Sequence, residues 1–247
     1  MTYRQVIQLS GTVDNPSLPD FDISDEEMAV AQIDAIALWP ALYSWGVNAG
    51  DSGFVDRMAD LEMLANGYSP VSGRLHVFAD GKRSYNIQTV PMLLRSAAVD
   101  FSGSFSIAML VGAELGAGNY SNLAGNWFIA SSDGKLRYAF PGIGASFNDY
   151  TPYTGPLLNS STMTSVILIA DREAETVRLH VEGADYLVAS MTTPDGAVLS
   201  EFQVGGFYSG GTTSARLGHY RGAMVFNKAL NADEIAAVEA MHADMKG

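Results

Sequence analysis

The sequence predicts an all-β fold, a two-sheet antiparallel β-sandwich with one helix near the C-terminus. Short segments with apolar residues at alternate positions recur along the chain, and turn residues separate them. The 247 residues include 25 glycines, and 47% of them are apolar while 17% are charged. This composition suits one domain with a sizeable core and many short strands.

Four segments alternate as strands with one buried face do: residues 105–111, 136–140, 177–181 and 220–226. Residues 166–170 are apolar throughout, so we expect both faces of that strand to be covered. The predicted core contains the inward residues of these strands and one helical residue: Phe105, Ile107, Met109, Leu136, Tyr138, Val177, Leu179, Val181, Met224 or Val225, and Ile235.

Two segments carry helix signals. Ser24, with Glu27 three residues later, is typical of a capping box that begins a short helix. Asn231 precedes a longer pattern in which Ile235 and Val238 fall on one side at helical spacing. The sequence therefore predicts one short helix before the strands and one longer helix after them.

Residues 1–35 are predicted to form an N-terminal arm that docks on another molecule, and residues 36–247 to form the sandwich domain. Pro16 and Pro19 interrupt regular strand pairing within the arm. The strands of the sandwich are expected to pair with one another, so the apolar residues of the arm need a different surface to shield them from water. These residues are Tyr3, Ile7, Leu9, Leu18 and Phe21. We expect this cover from a second copy or another protein, which makes the chain part of an oligomer or larger assembly. The alternative is that the arm folds back on its own domain.

The charge and residue types exclude several partners and chemistries. The formal net charge is −13, from 27 acidic and 14 basic residues, and no basic cluster exists, so we expect no nucleic-acid binding. The lack of cysteine excludes disulfides and thiol catalysis. No apolar run is long enough to cross a bilayer, and the N-terminal residues lack the apolar core of a signal peptide, so neither membrane insertion nor signal-directed export is expected.

Five segments, in order, resemble the concanavalin A-like, laminin-G-like family. They are residues 37–53, 104–108, 127–136, 177–183 and 226–235, of which the last, FNKALNADEI, is the most specific. The resemblance spans residues 36–243. It implies two antiparallel sheets in jelly-roll order, but this fold hosts lectins, glycosidases, adhesion modules and virion proteins, so it does not assign a function.

The resemblance also implies a calcium site at the rim of the sandwich. Asp51 and Asp56 are the positions closest to it, and their carboxylates suit a hard cation. The Asp-Ser-Gly sequence at residues 51–53 is equally ordinary turn chemistry, which is the preferred interpretation. No other cofactor is expected.

A carbohydrate site on this fold would consist of aromatic rings in loops, because such rings stack on sugar faces. Segments interpreted as loops contain Tyr43, Trp45, Tyr150, Tyr153 and Tyr208. The alternative is that these rings pack beneath the loops or against neighbouring subunits.

No residue pattern indicates catalysis, so the chain is predicted not to be an enzyme. A glycosidase on this fold needs carboxylates that flank the sugar bond, and the nearest sets, at residues 60–62 and 173–175, do not provide them. The second set lies in a predicted hairpin turn. The histidines lack metal-binding spacing and are interpreted as structural: His76, His180, His219 and His242.

The leading hypothesis is a structural or attachment protein of a bacteriophage or similar virus particle, made in the host cytoplasm and located in the virion. It depends on a fold commonly used outside cells, on the lack of a signal segment and cysteine, and on the predicted docking arm. The alternative is a stand-alone lectin or adhesin module that binds a glycan. A glycosidase or lyase is the third possibility.

Overall fold

The computed structural model describes residues 24–33, 35–40, 53–54, 63–65, 75–77, 83–86, 94–113, 121–124, 128–130, 136–138, 155, 162–190, 199–204, 206–209, 212–215 and 218–246. Two helices lie in these ranges, α1 (Asp25–Ala31) and α2 (Ala232–Lys246). Neither helix is long and apolar enough to cross a membrane.

The described strands are short, as the frequent turn residues predict. They are β1 (Ala35–Pro40), β2 (Gly53–Phe54), β3 (Met63–Ala65), β4 (Leu75–Val77), β5 (Arg83–Asn86), β6 (Leu94–Asp100), β7 (Phe105–Ala113), β8 (Ser121–Ala124), β9 (Phe128–Ala130), β10 (Leu136–Tyr138), β11 (Thr164–Asp171), β12 (Thr176–Val181), β13 (Ala184–Ser190), β14 (Leu199–Val204), β15 (Gly206–Ser209), β16 (Thr212–Ala215) and β17 (Gly218–Phe226).

The strands form one large sheet and three smaller ones. The eight-stranded sheet has the order β13-β12-β11-β7-β17-β5-β4, with β1 also paired to β17. The others are β14-β6-β3-β2, β10-β9-β8 and β15-β16. Every pairing between described strands is antiparallel. The predicted all-β, antiparallel, sandwich-like class with a C-terminal helix is therefore confirmed.

The centre of the large sheet is buried on both faces. This was predicted for β11, where residues 166–170 are fully buried. It was not predicted for β7, in which Ser106, Ala108 and Leu110 are as buried as Ile107 and Met109. The expectation of one buried face for β7 is wrong, because helices cover the side of the sheet that was expected to meet solvent.

Both helices pack on that face of the large sheet. Val30 and Ile33, from α1 and the residues after it, join Ile235, Val238, Met241 and Met245 of α2 in one apolar cluster with sheet residues such as Ile167 and Phe226. The helix starts are those predicted from the capping signals. Ser24 Oγ accepts from Glu27 N at 3.1 Å, and Asn231 Oδ1 accepts from Glu234 N at 3.0 Å.

The helical end of the predicted arm packs on its own chain, since Val30 is fully buried in the cluster shared with α2. The physical reason for this packing is that α2 has an apolar stripe, which α1 helps to bury. Residues 1–23 lie outside the described residues, and with them the residues on which the docking prediction depends: Tyr3, Ile7, Leu9, Leu18 and Phe21.

Most of the predicted core is confirmed. The buried residues are Phe105, Ile107, Met109, Val177, Leu179, Val181, Met224, Val225 and Ile235. Leu136 and Tyr138 lie in β10, but their burial falls outside what the structure describes. Strand β12 alternates between buried and half-buried positions, which matches the period of two seen at residues 177–181.

Candidate functional site

One of the predicted carbohydrate-binding residues lies in a described element. Tyr208 is in β15, where it pairs with Thr213 of β16. The expectation that Tyr208 lies in a loop is therefore wrong, because the residues around it pair with those of β16. Six other predicted site residues lie outside the described residues: Tyr43, Trp45, Asp51, Asp56, Tyr150 and Tyr153.

The register of the β15–β16 hairpin shows which residues share a face of the strand pair with Tyr208. Successive residues of a strand alternate between its two faces, so the register groups Tyr208 with Gly206, Thr213 and Ala215 on one face. Phe207 and Ser209 fall on the other face. We call the group of residues 206, 208, 213 and 215 the Tyr208 face.

Polar side chains also converge where α2 meets the β12–β13 hairpin. His180 Nδ1 lies 2.8 Å from Asp185 Oδ1, and its Nε2 lies 3.2 Å from Glu239 Oε1 of α2. Arg178 donates to Leu230 O at 3.2 Å and lies 3.5 Å from Asp185 Oδ2. His180 points away from Leu179 and Val181, as predicted, but α2 covers this face of the sheet.

The tip of the β12–β13 hairpin is tied to the same helix. Glu182 and Gly183 have φ angles of 48° and 83°, which suit a two-residue turn of the type favoured in hairpins. Gly183 N donates to Glu239 Oε1 at 2.6 Å. Glu182 accepts from Lys246 Nζ, near the end of α2, at 2.5 Å and 2.7 Å. These bonds join one end of the hairpin to two positions on α2 that are about two helical turns apart.

Ser165 of β11 and His242 of α2 form a second, buried polar pair. Ser165 Oγ and His242 Nδ1 are 2.7 Å apart, and His242 Nε2 has no hydrogen-bond partner among the described residues. Burial, with a smaller effect from Lys246, lowers the pKa of His242 to about 3, so the ring is neutral at physiological pH. Because both side chains are shielded from solvent, the pair joins α2 to β11 and offers no surface to a substrate.

The acidic turn between β11 and β12 combines exposed carboxylates with a buried arginine. Glu173 and Glu175 are exposed, as predicted for a solvated turn. Arg172, in the same turn, is buried, and its guanidinium donates to Phe101 O at 3.0 Å and Gly103 O at 3.3 Å. Burial lowers the pKa of Arg172 below its ordinary value. The turn therefore anchors the segment between β6 and β7.

No group of three or more histidine or acidic side chains in the described part of the chain is arranged to hold a metal ion. Asp51 and Asp56 lie outside that part, so the calcium site at these residues stays a prediction.

Comparisons with known proteins show a shared fold. No family model matches the sequence, and the curated proteins provide no match. The solved structure of Trypanosoma rangeli sialidase in complex with sialic acid is 14% identical, with a TM-score of 0.58 over 88% of this chain and 37% of that chain. The same sialidase in complex with 2,3-difluoro-KDN is 15% identical, with a TM-score of 0.61 over 87% of this chain and 33% of that chain.

A second kind of solved structure matches with somewhat lower TM-scores and identities. Two point mutants of HCR/D are 11% and 8% identical, with TM-scores of 0.55 and 0.56, over 84% of this chain and 51% and 52% of theirs. This chain thus spans about a third of the sialidase and about half of HCR/D.

The prediction that the chain is not an enzyme is contradicted by these matches, because sialidases are enzymes that share its fold. The matched sialidase is 13–15% identical to this chain, and the match covers about a third of the sialidase. What the comparisons show is an all-β fold common to this chain and to part of both the T. rangeli sialidase and HCR/D.

Proposed function

We propose that the chain is a carbohydrate-binding domain of the concanavalin A-like class. The observation that carries the proposal is the likeness to the T. rangeli sialidase, which extends over 88% of this chain in the complex with sialic acid. The ordered family-like segments between residues 36 and 243 support the same class. The match covers about a third of the sialidase, and the proposal concerns sugar binding.

The Tyr208 face is the proposed contact for sugar. An aromatic ring contributes to sugar binding by stacking on the apolar face of a pyranose. The residues that share this face by register, Gly206 and Ala215, are small, and Thr213, the cross-strand partner of Tyr208, is of a type that hydrogen-bonds hydroxyls. The remaining predicted contacts stay predictions: Tyr43, Trp45, Tyr150 and Tyr153.

A glycan array that contains neutral and sialylated glycans tests the proposal. We expect the full chain to bind at least one glycan class, and Tyr208→Ala to weaken binding by roughly ten-fold, in line with the loss of about 1–1.5 kcal/mol for an aromatic contact. The control is Tyr186→Ala, which removes a half-buried tyrosine of β13 in a different sheet.

Both variants are first checked for cooperative thermal unfolding. Failure of the wild-type chain to bind any glycan would contradict the proposed function. Equal binding by wild type and Tyr208→Ala would instead contradict the assignment of the Tyr208 face.

The role in a virus particle stays a prediction, and no described contact bears on it. Its test is whether the chain sediments with purified particles in a density gradient. A chain found only at the top of the gradient would contradict that role.

A further inference from the structure

His180 lies between two carboxylates that belong to different elements. Asp185 of β13 is 2.8 Å from Nδ1, and Glu239 of α2 is 3.2 Å from Nε2. The His180 side chain is 12% exposed, against 39% for Asp185 and 26% for Glu239. We call these three residues the His180 latch, because together they join the outer hairpin of the large sheet to the C-terminal helix.

The latch is complete only when the ring carries two protons. A neutral imidazole has one N–H and one bare nitrogen, whereas the imidazolium donates from both nitrogens. With both carboxylates ionised, a neutral ring donates to one of them and turns a lone pair toward the other. The charged ring makes two charge-assisted hydrogen bonds instead.

The contact with Glu239 is the one that changes. Asp185 is closer to the ring than Glu239, at 2.8 Å against 3.2 Å, so the single proton of a neutral ring is best placed on Nδ1. The bare Nε2 then faces Glu239 Oε1, the oxygen that also accepts from Gly183 N. On the β11 side, the residue in register with His180 is the apolar Ile167. Lys246 of α2 is engaged with Glu182.

We propose that the His180 latch is a proton-dependent contact, which holds the tip of the β12–β13 hairpin on α2 when the ring carries two protons and weakens when the ring carries one. Strands β13 and β12 are the outermost on one side of the large sheet. Their attachment to α2 can therefore open locally while the central strands stay paired, as peripheral parts of a protein commonly do.

Amide hydrogen exchange of Gly183 in the full chain, followed by NMR and corrected for intrinsic rates, tests this proposal. From about pH 8 to about pH 5, we expect the protection of Gly183 to rise about five-fold, which corresponds to about one net hydrogen bond. His180→Gln should make that protection independent of pH. The control His219→Gln should keep the wild-type dependence.

Glu239→Gln is a second variant that keeps an oxygen acceptor for Gly183 N. Its amide N–H can also donate to the bare Nε2, so the pH dependence should be lost in this variant too. Unchanged Gly183 protection across the range in wild type, or a retained dependence in His180→Gln, would overturn the proposal. So would protection that falls in acid together with the amides of β7 and β11, since that result would reflect global stability alone.

Discussion

At the scale of single residues, the buried ring of His242 links stability to pH. Its pKa is lowered to about 3 in the folded chain, from an ordinary value of 6.5, because burial disfavours the charged ring. The unfolded chain therefore binds one more proton than the folded chain between these two values. Above pH 6.5, His242 is neutral in both states and does not reduce the free energy of unfolding. As the pH falls from 6.5 toward 3, protonation of this ring in the unfolded chain lowers the free energy of unfolding.

We expect the free energy of unfolding to fall by up to about 1.4 kcal/mol per pH unit in this window because of His242. Urea unfolding at a series of pH values measures it. The matched variant is the double change Ser165→Ala with His242→Leu, which removes both polar partners and leaves neither buried alone. If this variant lost stability in acid as steeply as wild type, His242 would not be the cause.

Ile107 allows a direct test of the core assignment. It is fully buried in β7, so Ile107→Ala should reduce the free energy of unfolding by about 2–5 kcal/mol through lost burial and a cavity. Val188→Ala on the edge strand β13 is the control, since Val188 is 60% exposed and its truncation should change stability by less than about 0.5 kcal/mol. Similar urea midpoints for the two variants would contradict the assignment.

At the scale of elements, the start of α2 depends on a reciprocal cap. Asn231 Oδ1 accepts from Glu234 N, while Glu234 accepts from Asn231 N at 2.9 Å and from Lys228 Nζ at 2.6 Å. Burial alone would raise the pKa of Glu234, but the hydrogen bonds from Lys228 and Asn231 give a net lowering. Beside this cap, Ser106 Oγ of β7 donates to Lys228 O and accepts from Leu230 N.

Asn231→Ala should therefore lower the free energy of unfolding by about 1 kcal/mol, the usual effect of removing a helix cap. Thermal unfolding measures the change. Asn227→Ala is a matched control, because Asn227 is exposed and lies before the helix. Equal melting temperatures for the two variants would show that the cap contributes nothing.

At the scale of the whole molecule, two truncations separate folding from assembly. Deletion of residues 1–32 removes α1 with the buried Val30 and exposes part of α2 to solvent. Deletion of residues 1–23 retains α1 and Val30. Loss of one buried apolar side chain corresponds to about 2 kcal/mol, so the longer deletion should lower the melting temperature by about 4–8 °C relative to the shorter one. Equal melting temperatures would mean that α1 adds no stability.

Light scattering on the same proteins tests the predicted docking role of the first residues. If Tyr3, Ile7 and Leu9 mediate assembly, the full chain should be oligomeric and the chain without residues 1–23 monomeric. The same oligomeric state for both would contradict the docking prediction.

Local patterns were enough to predict the features that depend on neighbours in sequence. The cap signals at Ser24 and Asn231 act over three residues, and the alternation of Val177, Leu179 and Val181 reflects the pleat of one strand. The all-β class followed from the repetition of such patterns. Each of these is a short-range property, which the amino-acid sequence specifies without reference to the rest of the chain.

The tertiary structure alone decided which surfaces are covered and which polar groups meet. Both faces of β7 are buried because α2, more than a hundred residues later, packs on the face predicted to be solvated. Ser165 and His242 are separated by 77 residues, and His180 and Glu239 by 59. No spacing rule connects residues so far apart. The sequence by itself therefore determined the strands and the helix ends. Only the packing of α2 on the sheet brought these polar groups together.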